Sequence, residues 1–139
     1  RRSSDLLIVE EKLIALLLAN SSLSALVSDR IYWSKMEPSS LLPRINMTVV
    51  SDVADYNMDS ASGLRVARVQ IDCYGETYAS ARAVSRAVEA AIGGYKGTSG
   101  AVKFDGIFMV EQRDVIEEDN TPSDLFGVSV DYQIWHKET

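Results

Sequence analysis

The stretch from Leu64 to Tyr74 constrains the fold more than any other part of the chain. Ala67, Val69, Ile71 and Cys73 alternate with Arg68, Gln70 and Asp72. A period of two sends the first set to one face of a strand and the second set to the other. Such a strand needs an apolar cover on one face only, and a candidate cover follows at once. Gly75-Glu76-Thr77 turns the chain, Thr77 serves as a helix cap, and Ala81, Val84, Val88, Ala91 and Ile92 recur at helical spacing up to a stop at Gly93-Gly94. Arg82, Ser85, Arg86 and Glu89 fall on the wet side of that helix. The alanines on its apolar stripe let it lie close on a sheet.

The same reasoning extends outward in both directions. A helix is expected from Asp5 to Ala19, capped by Ser4, with Leu6, Val9, Leu13 and Leu17 on one stripe and Leu7, Ile14 and Leu18 widening it. A turn at Asn20 to Ser22 leads to a short helix, Leu23 to Val27. The run Asp29 to Trp33 then enters an irregular stretch, because Pro38 and Pro43 forbid a central strand there. Ile45 to Val53 reads as a strand with Ile45, Met47 and Val49 inward. Ala54 to Gly63 reads as a long polar hairpin loop and Tyr95 to Gly100 as a flexible link. Val102 to Arg113 is a third strand with a bulge at Gly106, Asp114 to Asp124 an acidic loop, and Phe126 to His136 the last strand. Two hairpins separated by a helix predict an α+β fold: a mostly antiparallel four-stranded sheet with helices packed on one face. Residues 1–139 read as a single domain, since no repeat, low-complexity tract or linker divides them.

Composition narrows the function. Fourteen Lys and Arg against twenty Asp and Glu leave a net charge of -6, which argues against a surface that grips nucleic-acid phosphates or an anionic membrane. Arg1 and Arg2 ahead of Leu6 to Val9 loosely resemble a signal peptide, but Glu10 and Glu11 cut the apolar run. The longest apolar run, Leu13 to Ala19, is far short of a membrane span, so a soluble protein is expected. The sequons at Asn20 and Asn46 then read as coincidence. The single cysteine excludes an internal disulfide framework and a Cys-rich zinc site.

Candidate chemistry is sparse. Cys73 as a nucleophile would need a base, and His136 is the only histidine. Cys73 is in phase with Ala67, Val69 and Ile71, so it is expected to be buried and inert. His136 closes the last strand and reads as a surface or edge residue. Gly93 to Gly100 holds the ingredients of a phosphate loop, but Lys96 precedes the glycine it should follow, and the segment leaves a helix instead of entering one. Asp114, Glu117, Glu118, Asp119 and Asp124 lack the alternating spacing and central glycine of a helix-loop-helix calcium site; they read as a solvated loop or as an acidic functional surface. Tyr32, Trp33, Tyr56 and Trp135 lie near element ends and suit rim packing or a subunit interface. No catalytic, metal or cofactor site is expected, and none of the scattered carboxylates pairs for acid–base work.

Several segments together resemble one family. Leu13 to Asn20 with Leu23 to Tyr32, including Asp29-Arg30-Ile31-Tyr32, is similar to the opening of phage tail completion (tail terminator) proteins. Pro38, Pro43 and Ile45 to Ser51 resemble the family's approach to its first strand. Arg68 to Tyr74 followed by Thr77-Tyr78-Ala79-Ser80-Ala81 resembles its most recognisable stretch, and Val128 to His136 its closing strand. The likeness runs in order from about Leu6 to Glu138, while Ala54–Gly63 and Asp114–Asp124 match in position alone.

The resemblance implies a virion structural protein and no enzyme. Its members are taken to form a ring, usually of six subunits, on the head-proximal end of the tail tube. The ring stops tube growth and presents the surface for head joining. The implied partners are further copies of the chain, the tail tube protein and a head-completion or neck protein, with DNA present only in transit and no membrane. The implied location is the head–tail interface of the virion, after assembly in the host cytoplasm. A head-completion or neck connector of the same interface is the alternative. Within this reading Asp114, Glu117, Glu118 and Asp119 are expected to face the lumen or a partner ring, and Tyr32, Trp33, Tyr56 and Trp135 to make subunit or partner contacts.

Overall fold

A computed structural model describes residues 2–28, 30–33, 42–56, 61–99, 102–117 and 125–138. The chain runs α1 (Arg2–Leu18), α2 (Ser21–Val27), β1 (Ile31–Trp33), β2 (Arg44–Tyr56), β3 (Ala61–Gly75), α3 (Tyr78–Ile92), β4 (Gly97–Ser99), β5 (Val102–Glu117) and β6 (Leu125–Glu138). The strands form one sheet in the order β1-β2-β3-β6-β5-β4. β1 pairs with β2 in parallel, and every other pair is antiparallel.

The expected class is therefore found, with a correction to the sheet. Among the described residues it has six strands and is mixed, because β1 and β4 add a short strand of three residues to each edge and β1 pairs in parallel. The strands are also longer than expected. The hairpin expected as a long loop from Ala54 to Gly63 keeps strand pairing as far as Tyr56 and Ala61. The acidic loop shortens too, since β5 continues through Asp114 to Glu117, opposite Leu125. Cross-strand pairing carries these polar residues in strand conformation against their own preference for turns. The first helix begins at Arg2, ahead of Ser4.

The two faces of the sheet differ as the alternation dictates. Ile45 and Met47 on β2, Ala67, Val69, Ile71 and Cys73 on β3, Phe104 and Ile107 on β5, and Val128, Val130, Tyr132 and Ile134 on β6 are all buried. They share their face with Val9, Leu13 and Leu17 of α1, Leu23 and Val27 of α2, and Ala81, Val84, Val88 and Ile92 of α3 in one apolar cluster. Ser85 joins the buried side of α3, contrary to its expected wet position. Leu13 and Leu17 are fully sealed, so truncating either to Ala should cost about 3 kcal/mol.

Local chemistry fixes the helix ends. Asn20 Oδ1 accepts from Leu23 N at 2.9 Å to start α2, and Thr77 Oγ1 accepts from Ser80 N at 3.1 Å to start α3. Gly94 turns the chain out of α3 with φ at +76°, a conformation costly for any residue with a Cβ. Its N–H then donates to the Ile107 carbonyl at 2.7 Å, tying the helix end to β5. Among the described residues no helix is long and apolar enough to cross a membrane.

Candidate functional site

The face of the sheet opposite the helices carries the polar alternates. Register places the residues of this face in rows across β2, β3, β6 and β5: Asn46–Asp72–Ser129–Arg113, Thr48–Gln70–Asp131–Glu111, Ser51–Arg68–Gln133–Phe108 and Val53–Val66–Trp135–Gly106. This open face holds an ion-pair network. Arg68 Nε and Nη2 both donate to Asp131 Oδ2, at 3.2 and 2.9 Å. Arg113 Nη2 donates to Asp131 Oδ1 at 3.4 Å. Glu111 joins more loosely, 3.8 Å from Arg68 and 3.5 Å from Arg113. The flanking side chains leave the Asp131 carboxylate only 8% exposed, although it projects from the uncovered face.

Beside the network lies an apolar end. Phe108 folds back over Gly106, where a Cβ would come within 2.6 Å of the ring; a glycine is required for that approach. Trp135 stands next to it, half-buried, opposite Gly106 and Val66. Val53 is 60% exposed and Phe108 52%.

The residues singled out in the sequence are spread around the molecule. Trp135 belongs to this apolar end. Tyr32 and Trp33 lie on β1 at one edge, both half-buried, with Trp33 packed against the core. Tyr56 ends β2 opposite Ala61. Asp114 is at the far end of β5, exposed, and accepts from the Tyr78 hydroxyl on α3 through both carboxylate oxygens at 3.0 Å. The Arg82 guanidinium stacks on the same Tyr78 ring, 5.8 Å from its centroid. Glu117 closes β5, while Glu118 and Asp119 lie outside the described residues. Topology puts the acidic end of the β5–β6 hairpin and the tip of the β2–β3 hairpin at opposite ends of the sheet.

Cys73 is fully buried, and burial, with the Asp72 charge adding to it, pushes its thiol well above the ordinary range. His136 is not at the surface as expected: it is 3% exposed, on the same face as the core. Its parity with Val128, Val130, Tyr132 and Ile134 sends it there. It lies 3.5 Å from Asp52, which also pairs with Arg65 at 3.0 Å. The two residues weighed as a nucleophile and base do not meet. Cys73 is opposite Val128 on β6, and His136 is roughly 27 Å further along that strand. The phosphate-loop ingredients also dissolve, because Gly97 to Ser99 form β4. Among the described residues no cluster of His, Cys, Asp and Glu is arranged to hold a metal ion. The arrangement is that of a scaffold with surfaces: a covered core, an open face and two sheet flanks.

The comparisons agree with such a scaffold. Residues 11–137 match the family described as tail completion protein gp17. The fold is similar to a chain of a virion described as the native gene transfer agent particle, with 18% identity, a TM-score of 0.72, and 91% of this chain covered along with 92% of that one. No curated protein matches. The family match marks the chain as a structural component of a phage-like tail. The chain belongs to the tail completion protein gp17 family.

Proposed function

We propose that this chain caps the head-proximal end of a phage tail tube as a ring, probing no substrate and carrying out no chemistry. The ring stops tube growth and offers the surface for head joining, and DNA passes through its centre. The observation that carries the reading is the family match, which spans nearly all of the chain. The physical character of the molecule supports it. A ring needs two different patches per subunit that close by rotation, and a sheet covered on one face alone leaves its open face and both flanks for neighbours. The net charge of -6 disfavours a tight grip on DNA, which suits a channel through which DNA slides.

In this reading the partners are other copies in a hexamer, the tail tube protein and a head-completion or neck protein, at the head–tail interface of the virion. Asp114, Glu117, Glu118 and Asp119 face the lumen or a partner ring. Tyr32, Trp33, Tyr56 and Trp135 contribute subunit or partner contacts. The test is to add the purified chain separately to isolated tail tubes and to isolated DNA-filled heads. Binding at one end of the tubes is expected. Binding to heads and not to tubes would move the protein to the head side of the joint, as a head-completion or neck connector.

A further inference from the structure

The sheet ends on each side in a strand much shorter than the one it borders. β1 covers β2 only along Ile45–Met47, and β4 covers β5 only along Val102–Phe104. From Thr48 to Tyr56 on β2, and from Asp105 to Glu117 on β5, no strand lies on the outer side among the described residues. The Gly94 N–H caps the Ile107 carbonyl, and the rest of the β5 edge runs on past it.

Both uncovered edges carry exposed apolar side chains among charged ones. On β2, Val50 is 54% exposed and Val53 60%; on β5, Phe108 is 52% exposed, Met109 37% and Val110 44%. Each strand also breaks register at its exposed valine, between Val49 and Ser51 on β2 and between Met109 and Glu111 on β5. A long edge strand bearing exposed apolar side chains invites pairing with another chain, and proteins that stay monomeric shorten, charge or cover such edges. This chain covers only the first few residues of each, and Asp52 on β2 and Glu111, Arg113 and Asp114 on β5 place some charge on the rest.

We infer that the two edges pair with each other between copies, β5 of one copy against β2 of the next, so that the sheet continues around the ring. The strands β2, β3, β6 and β5 alternate in direction, so β2 and β5 run oppositely. Copies related by rotation then bring β5 alongside the neighbour's β2 in antiparallel register, the arrangement in which backbone groups bond directly across. The two edges lie on opposite flanks, about 14 Å apart across β3 and β6, and differ from each other, as a head-to-tail contact requires. Pairing of β5 with β5 would use one edge and close as a dimer. The inference rests on the ring reading above.

Single cysteines in the full chain test it. Cys73 is fully buried, so introduced surface thiols react alone. Val50→Cys is mixed in turn with Phe108→Cys, Val110→Cys and Gln112→Cys under mild oxidation, since opposed side chains across such a pair are close enough to bridge. The expected result is a covalent dimer in at least one mixture and none from any variant alone, with ring assembly followed by native mass spectrometry with and without tail tubes. Dimers from one variant alone would mean a two-fold contact and overturn the inference. A closed ring with no cross-link in any mixture would overturn edge pairing and leave the ring reading intact. A chain that stays monomeric even on tail tubes would overturn both.

Discussion

Arg68 on β3 donates twice to one carboxylate oxygen of Asp131 on β6, at 3.2 and 2.9 Å, and Arg113 on β5 reaches the other oxygen at 3.4 Å. One nearly buried carboxylate thus joins three adjacent strands on the face that no helix covers. Asp131→Ala leaves two guanidiniums without their main partner and should cost about 2 kcal/mol. Glu111 is 54% exposed, so Glu111→Ala should cost less than about 0.5 kcal/mol. Urea unfolding with an unchanged slope reads both; equal effects from the two would mean that Asp131 does not organise the network.

Tyr132 supplies a second prediction. Its ring is fully buried, and its hydroxyl has no hydrogen-bond partner. A buried hydroxyl left unpaired carries a desolvation cost. Tyr132→Phe should therefore raise stability by about 1 kcal/mol, seen as a higher urea midpoint. A lower midpoint would show that the hydroxyl is satisfied in solution.

Stability should fall in alkali. Burial raises both Cys73 and Tyr132, with the Asp72 charge adding to the first and the Cys73 and Glu89 charges to the second. The folded chain therefore holds these protons more tightly than the unfolded chain. Their contribution is complete below pH 9.0, the ordinary thiol value, and declines as the pH rises past it, with tyrosine joining above 10.0. Each group adds a slope of about 1.4 kcal/mol per pH unit. Urea midpoints from pH 8 upward check the sign, and Tyr132→Phe should flatten the curve above pH 10.0. A flat wild-type profile would contradict the burial of both groups.

Much of this framework is legible in the sequence, and the rest fails for identifiable reasons. The alternation of Ala67 to Cys73 and the capped, glycine-stopped helix after it are local signals, so β3 and α3 emerge with their faces correct apart from Ser85. His136 had a signal too, its parity with Tyr132 and Ile134; position at a strand end masked it. β1 and β4 span three residues each, too few to show a period, and β1 exists through parallel pairing with β2, the next strand in the chain. Asp114 reads as loop by composition and becomes strand because Val128 lies opposite. Arg68 reads as a wet-face residue of its strand, and Asp131 falls within the last strand. Their meeting depends on β3 lying beside β6, which no local pattern reveals.

The acidic end of the β5–β6 hairpin makes a prediction about function and not stability. Asp114 is exposed, and its contact with Tyr78 is a surface contact. Replacing Asp114, Glu117, Glu118 and Asp119 with the corresponding amides should change DNA passage or head joining while the unfolding free energy from urea titration changes by less than about 0.5 kcal/mol. Wild-type assembly and infectivity in that variant would dispose of the lumen-facing or partner-facing role.

If this chain ends the tail tube, electron microscopy of particles assembled without it should show overlong tails beside unattached, DNA-filled heads. Tails of normal length left unjoined, or normal infectious particles, would contradict that role.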